Sequence, residues 1–176
     1  MYLSANIGIE NNNPGNIRYN PNINWKGQAG TKYGFVQFVS MPYGYRALIK
    51  NLQSYINGGT DTIEKIVYKW APPGDGNNNP ESYANNVSAR TGISRNKKIN
   101  AQDLGTLAKI AAAMSISEIG TSYPDAINGA LSLLQSEGAG ALLPGPTTTA
   151  KIWPQLIFYT AAGLIIYEAL KPSENA

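Results

Sequence analysis

Eleven carboxylates and no histidine or cysteine set the limits of what this chain can do chemically. Without Cys or His there is no zinc site of the usual kind, and no Ser–His–Asp or Cys–His hydrolase. No metal ligation and no cofactor is expected, so any hydrolytic chemistry falls to carboxylates, Tyr, Lys or Ser. Most of the acids have a plain structural place. Asp61 caps a helix, Glu64 is an exposed partner for Lys65 or Tyr68, and Asp103 and Asp125 lie at helix starts, where the dipole favours them. Asp75 and Glu81 sit in or beside a Gly/Asn loop, Glu137 in a linker, and Glu168 and Glu174 in the tail. Two remain. Glu10 directly precedes an asparagine-rich run. Glu118 closes the helix AQDLGTLAKIAAAMSIS and is followed by Ile-Gly. A carboxylate at a helix C-terminus faces the wrong end of the dipole, and burial beside Met114, Ile116 and Ile119 would raise its pKa further. A carboxylic acid kept protonated near neutral pH is what general-acid cleavage of a glycosidic bond requires. The competing reading of Glu118 is an exposed helix-end residue.

The asparagine-rich run is NNNPGNIR, residues 11–18, with four Asn, a Pro, a Gly and an Arg and no negative charge. It cannot continue a helix or a central strand, because Pro lacks a donor and Asn competes for backbone bonds. As a turn it is either ordinary surface or a set of amides aimed at a cleft. Amides donate and accept together, which suits a ligand rich in hydroxyl and acetamido groups.

The elements that must position these groups follow from periodicity. Residues 1–24 read as loop, and MYLSANIGIENNN lacks the basic and apolar regions of a secretory signal. KYGFVQFVS, residues 32–40, reads as a strand of a small hairpin. Pro42 opens a helix with Tyr45, Leu48, Ile49, Leu52, Tyr55 and Ile56 at helical spacing, ended by Gly58-Gly59. Thr60 or Asp61 caps a second helix carrying Ile63, Ile66, Val67 and Trp70, stopped by Pro72-Pro73. Pro80 opens a third with Tyr83, Ala84 and Val87 inward. Asn100 or Ala101 opens a fourth ending near Glu118, and Pro124 to Gln135 is a fifth. The expected fold is mainly α, an α+β arrangement with a small β-hairpin, in one domain over residues 1–135. Trp25, Tyr45 and Trp70 serve either core packing or sugar stacking.

Residues 136–150, SEGAGALLPGPTTTA, have linker composition. The segment IWPQLIFYTAAGLIIYEAL, residues 152–170, is long and apolar enough to span a bilayer, with Lys151 before it and Lys171 after. The alternative is a long buried core helix. The linker in front favours a transmembrane anchor over residues 151–171 and a short tail at 172–176. Net charge is +3 with a pI near 9.0, spread along the chain instead of concentrated as in a nucleic-acid binder. A weak positive bias also suits an anionic polymer such as a bacterial wall.

In order, NNNPGNIR, Trp25-x-Gly27, FVQF (35–38), YGYRALIKNLQSY (43–55), KWAPP (69–73) and the Asn78 to Val87 segment resemble a group of phage virion proteins, structural or lytic-transglycosylase-like members of the lysozyme superfamily. The resemblance covers about residues 8–130. A more distant similarity links the chain to flagellar and autolysin-type glucosaminidases. NPGNIR resembles their Asn-x-x-Gly turn, GFVQFVS their hairpin and NPESYANNV their Tyr segment. Their Glu-bearing helix comes first, whereas here it comes last, the order a circular permutation would give. The resemblance implies a lysozyme-like fold and peptidoglycan as substrate, with Glu118 as catalytic acid and Tyr83 as the tyrosine of the cleft, Glu10 remaining the runner-up. It implies Asn13, Asn16 and Arg18 along the sugar groove. Ile-Gly replaces the usual Ser-Gly after Glu118, and no second carboxylate is clearly placed. That departure favours a lytic transglycosylase, or a fold without activity. The partners implied are peptidoglycan, a lipid membrane and other virion proteins, with no nucleic acid. The location implied is a virion, anchored in an internal or host membrane.

Overall fold

The computed structural model describes residues 6–76 and 78–140, together with Tyr159–Thr160 and Gly163–Leu164. The chain divides into two units, Met1–Leu142 and Leu143–Ala176. The first is mainly helical with a two-stranded antiparallel hairpin. Its elements are α1 (Asn6–Glu10), β1 (Gln28–Lys32), β2 (Phe35–Phe38), α2 (Met41–Asn57), α3 (Ile63–Trp70), α4 (Pro80–Thr91), α5 (Leu104–Ile119) and α6 (Pro124–Gly140).

The apolar stripe read on α2 is its buried face. Tyr45, Leu48, Ile49 and Leu52 are fully buried, and α2 packs against α3, α5, α6 and β2. Ile63, Ile66 and Val67 of α3, Leu107, Ile110 and Met114 of α5 and Val36 and Phe38 of β2 complete the core. Each helix has a local reason for its limits. Thr62 caps α3 by accepting from the Lys65 N–H, Asn79 caps α4 with Pro80 behind it, and Asp103 caps α5. Gly120, at φ +78, ends α5 in the left-handed conformation that glycine adopts without penalty.

Four sequence expectations are corrected. The loop at 1–24 contains α1, because Ile7 packs inward and Gly8 lies against Ile119 too closely for any side chain. The cap of α3 is Thr62, not Thr60 or Asp61; Asp61 instead pairs with Lys65 at 2.8 Å. The start of α5 is Leu104, since the Asp103 side chain caps there and not at Asn100 or Ala101. Finally, α6 continues to Gly140, five residues into the expected linker. Glu137 holds it there. Its carboxylate takes two hydrogen bonds from the buried Arg46, both at 2.8 Å, and a third from Lys26 at 2.9 Å. Arg46 keeps the Glu137 carboxyl ionised, with its pKa down at about 2.

The expected anchor at 151–171 lies outside the described residues except for Tyr159–Thr160 and Gly163–Leu164, which pair antiparallel. No helix among the described residues is long and apolar enough to cross a membrane.

The asparagine-rich turn is strapped onto the rest of the fold. The Phe38 N–H donates to the Asn11 carbonyl, the Val36 N–H donates to the Ile17 carbonyl, and the Asn12 side chain donates to the Phe38 carbonyl. On its other side the turn lies against the backbone of α2 at Gly44. A Cβ on Gly44 would sit 1.9 Å from the Asn12 carbonyl oxygen and 2.6 Å from Pro14. Gly44→Ala is therefore expected to cost about 3 kcal/mol, the upper range for overpacking. Gly105→Ala, whose Cβ would meet only Asp103 at 3.5 Å, should be neutral or gain up to about 1 kcal/mol from helix propensity. Urea denaturation of the two variants checks the contrast.

Candidate functional site

Glu118 lies near the end of α5, and its carboxylate receives three hydrogen bonds from three other segments. Trp70 Nε1 donates to Oε1 at 3.0 Å, the Tyr83 hydroxyl donates to the same oxygen at 3.0 Å, and Asn16 Nδ2 donates to Oε2 at 3.1 Å. Asn16 Nδ2 also lies 3.3 Å from the Glu118 backbone carbonyl. That carbonyl can only accept, so the nitrogen of the Asn16 amide, not its oxygen, must face Glu118.

Local structure explains how each donor arrives. Trp70 is the last residue of α3, which cannot continue into Ala71-Pro72-Pro73. Tyr83 lies in the first turn of α4, which begins at the Asn79 cap. The two helices are tied together by Arg95, which bonds both Glu64 of α3 and Glu81 of α4. Asn16 sits in the left-handed region, at φ +47, a conformation that Asn tolerates better than most residues.

Asn13 shapes that turn from inside. It is fully buried; its Oδ1 accepts from the Ile17 N–H at 2.8 Å, while Nδ2 donates to the Ile17 carbonyl at 3.0 Å and the Val36 carbonyl at 2.9 Å. Three of the four hydrogen-bonding directions of its amide are taken by backbone, and as a fully buried residue it is not part of the lining of the groove described below.

The electrostatics of the site come mainly from burial. Removal from water raises the Glu118 pKa above its ordinary 4.5, and the bonds from Tyr83, Asn16 and Trp70 offset that only in part. Tyr83 is driven well above its ordinary range, first by burial and then by the adjacent Glu118, so it stays a neutral phenol and a donor. Its hydroxyl is engaged with Glu118.

A groove of about 590 Å³ adjoins the acid. Its lining includes Asn16, Arg18, Tyr19, Trp25, Tyr55 and Trp70, and no carboxylate. Glu118 is not itself part of the lining but is one hydrogen bond from two residues that are. Trp70 and Tyr55 meet edge to face at 6.2 Å, leaving aromatic surface on the groove. Arg18 reaches the groove's edge and pairs with Asp75 at 3.3 Å, both exposed. Tyr45, in contrast, is a core residue, its hydroxyl bonded to Ser115 at 2.8 Å. Glu10 makes no hydrogen bond to these groups and is paired on the surface with Lys32 at 2.8 Å. The sequence marks Trp70 only as a packing or stacking residue. Its place as the last helical residue before Ala-Pro-Pro puts the indole on a helix end but does not set the direction of its N–H, which tertiary packing fixes.

Fold and site together define a mainly helical domain that presents one half-buried carboxylic acid, held by neutral donors, beside a groove lined by amides and aromatics. No protein family's sequence profile matches the chain. Over 98 residues it is 36% identical to Protein P5 of Pseudoalteromonas phage PM2, an alignment that covers 53% of this chain and 60% of that protein. The chain thus spans about three-fifths of the length of this phage relative.

The raised pKa of Glu118 has a definite sign. Its neutral form is favoured by the fold, so its contribution to stability is full below the unfolded value near 4.5 and is lost as pH rises through the folded pKa. Glu118→Gln removes that dependence. The melting temperature of the variant relative to wild type should therefore rise as pH increases from about 4 and level off once pH has passed the raised folded pKa. Parallel melting curves across that range would show that burial does not perturb the group.

Proposed function

We propose that this protein is a phage virion component that cleaves the glycan strands of peptidoglycan as a lytic transglycosylase or muramidase on a lysozyme-like fold. In this reading it opens the bacterial wall during entry and is held to a viral internal or host membrane by the segment at 151–171. The observation that carries the reading is Glu118: a carboxylic acid biased toward its protonated form, adjoining a groove of amide and aromatic side chains. The 36% identity to a phage protein supports the setting.

In this mechanism Glu118 protonates the glycosidic oxygen, and positive charge develops at the anomeric carbon. The substrate's own N-acetyl group supplies the nearest stabilisation, since the Tyr83 hydroxyl is engaged with Glu118. The resulting carboxylate then takes a proton from the muramyl C6 hydroxyl, closing a 1,6-anhydro ring. Hydrolysis normally uses a second carboxyl group. Among the described groove residues there is none, which favours the intramolecular route. Asn16 and Arg18 line the substrate path, and other virion proteins are the remaining partners.

A second reading has its own support. The three donors on Glu118 also join α3, α4, α5 and the asparagine-rich turn. A non-enzymatic virion structural protein, associated with a vertex or a membrane, could keep Glu118 as a polar tie alone.

The full chain incubated with purified peptidoglycan should release anhydro-muropeptides, resolved by mass spectrometry. Glu118→Gln should lower that release by at least about 100-fold, while Glu10→Gln leaves it unchanged. No release by a folded wild-type protein would favour the structural reading, and loss of activity in Glu10→Gln but not in Glu118→Gln would reverse the assignment.

A further inference from the structure

The hydrogen bonds on Glu118 are unevenly divided, and the division assigns the proton to one atom. A carboxylate oxygen offers two lone-pair directions. On Oε1 both are taken, by the Trp70 indole N–H and the Tyr83 hydroxyl. On Oε2 only one is taken, by Asn16 Nδ2. A proton on Oε1 would have to displace a donor. Trp70 Nε1 bonds no other acceptor among the described residues, and the alternative for Tyr83, the Met114 carbonyl, stands at 3.5 Å. A proton on Oε2 displaces nothing. Each oxygen is bonded by one lining residue of the groove, Oε1 by Trp70 and Oε2 by Asn16, so it is the free lone-pair direction on Oε2 that separates the two.

We propose that Oε2 of Glu118 is the oxygen that delivers and recovers the proton, and that Asn16 is the positioning residue that holds this oxygen. The proposal rests on the wall-cleaving reading for its substrate, but the assignment of the oxygen stands on geometry alone. In the first step the Oε2–H bond breaks and its electron pair stays on Oε2. The proton bonds to the bridging glycosidic oxygen, the bond from that oxygen to the anomeric carbon breaks, and its pair leaves with the oxygen. Glu118 is then a carboxylate whose charge is shared between Oε1, with two neutral donors, and Oε2, with one. In the second step Oε2 takes the proton of the incoming hydroxyl while the oxygen of that hydroxyl bonds the anomeric carbon. Oε1 stays hydrogen-bonded throughout, so the carboxyl group need not rotate between steps.

Asn16 suits the task through three features. Its nitrogen is fixed as donor by the Glu118 backbone carbonyl. Its backbone, at φ +47, is held by the turn that Asn13 organises. Being neutral, it can stabilise the carboxylate without lowering its pKa as far as a cationic donor would, so the group can still carry the proton it must deliver.

Infrared spectroscopy of the full chain tests the assignment without requiring turnover. At about pH 4, the difference spectrum of wild type minus Glu118→Gln isolates the C=O stretch of protonated Glu118. Bonds donated to a carbonyl oxygen lower that frequency. If Oε2 carries the proton, Oε1 is the carbonyl oxygen, and Tyr83→Phe and Trp70→Phe should each move the band to higher wavenumber. Asn16→Gly, which keeps the left-handed backbone free of strain, should leave it in place. A band that moves with Asn16→Gly and not with Tyr83→Phe overturns the proposal, as does one that moves equally with all three variants or is absent. Tyr83→Phe loses one hydroxyl and carries the test if Trp70→Phe fails to fold. The expected pattern in a protein that releases no muropeptides would leave the oxygen assignment standing and remove the wall-cleaving reading.

Discussion

The domain is organised around removing one carboxylate from water. A buried carboxylate without donors is strongly unfavourable, so a fold that buries Glu118 must bring polar groups to it. Each donor comes from a different element and depends on a different local device. The Trp70 indole depends on α3 ending before two prolines, and the Tyr83 hydroxyl on α4 beginning at its Asn79 cap. The Asn16 amide depends on a turn whose interior is filled by Asn13. Arg95 fixes α3 to α4 and thereby fixes two of these donors relative to each other. A shift in any one element leaves a bond on Glu118 unmade, and so the site reports on the packing of much of the domain.

The chemical character of the donors matters as much as their number. The protein contains its own comparison. Glu81 and Glu137 each receive hydrogen bonds from an arginine, Arg95 and Arg46, and both carboxyls lie near a pKa of about 2. Glu118 receives as many bonds, all from neutral groups, and its pKa is raised. Burial is the first cause of that rise, and Glu81 is exposed; the cationic donors on Glu81 and Glu137 add to this difference, since they bring charge as well as a hydrogen and so favour ionisation. An indole, a phenol and an amide supply direction without that charge. The result is a carboxyl held in place yet not committed to its anionic form, the state a general acid needs.

Much of this was legible in the chain, and the reasons for the rest are physical. Glu118 stood out because a carboxylate at a helix C-terminus opposes the dipole, and its neighbours were apolar. The helices were legible from Pro42, Pro80 and Gly58 as boundaries and from the stripe of Tyr45 to Ile56. Glu137 was misread because Ser, Gly and Ala around it look like linker; its hold on Arg46 comes from a residue 91 positions away, and no local pattern records that. Trp70 was legible as aromatic but not as a donor, since the direction of an indole N–H is set by tertiary packing. Asn13 and Asn16 were grouped together because composition treats them alike. The turn separates them, sending one side chain into the core and the other to the acid.

That separation explains why the run is made of asparagine and not of aspartate, which forms similar turns. Asn13 both donates and accepts: its nitrogen serves two carbonyls and its oxygen one N–H. Aspartate there would place a charge in the core and meet two carbonyls with no hydrogen to give. At position 16 the objection is electrostatic. An aspartate would set a second carboxylate where an amide nitrogen now lies 3.1 Å from Glu118 Oε2, and two like charges at that distance cannot both ionise. The proton would then be shared between the pair, and the bond that orients Oε2 would depend on which of them held it. The absence of any acid between Asn11 and Arg18, which in the sequence is only a compositional oddity, is thus a requirement imposed at one position by burial and at the other by a carboxyl group 102 residues away.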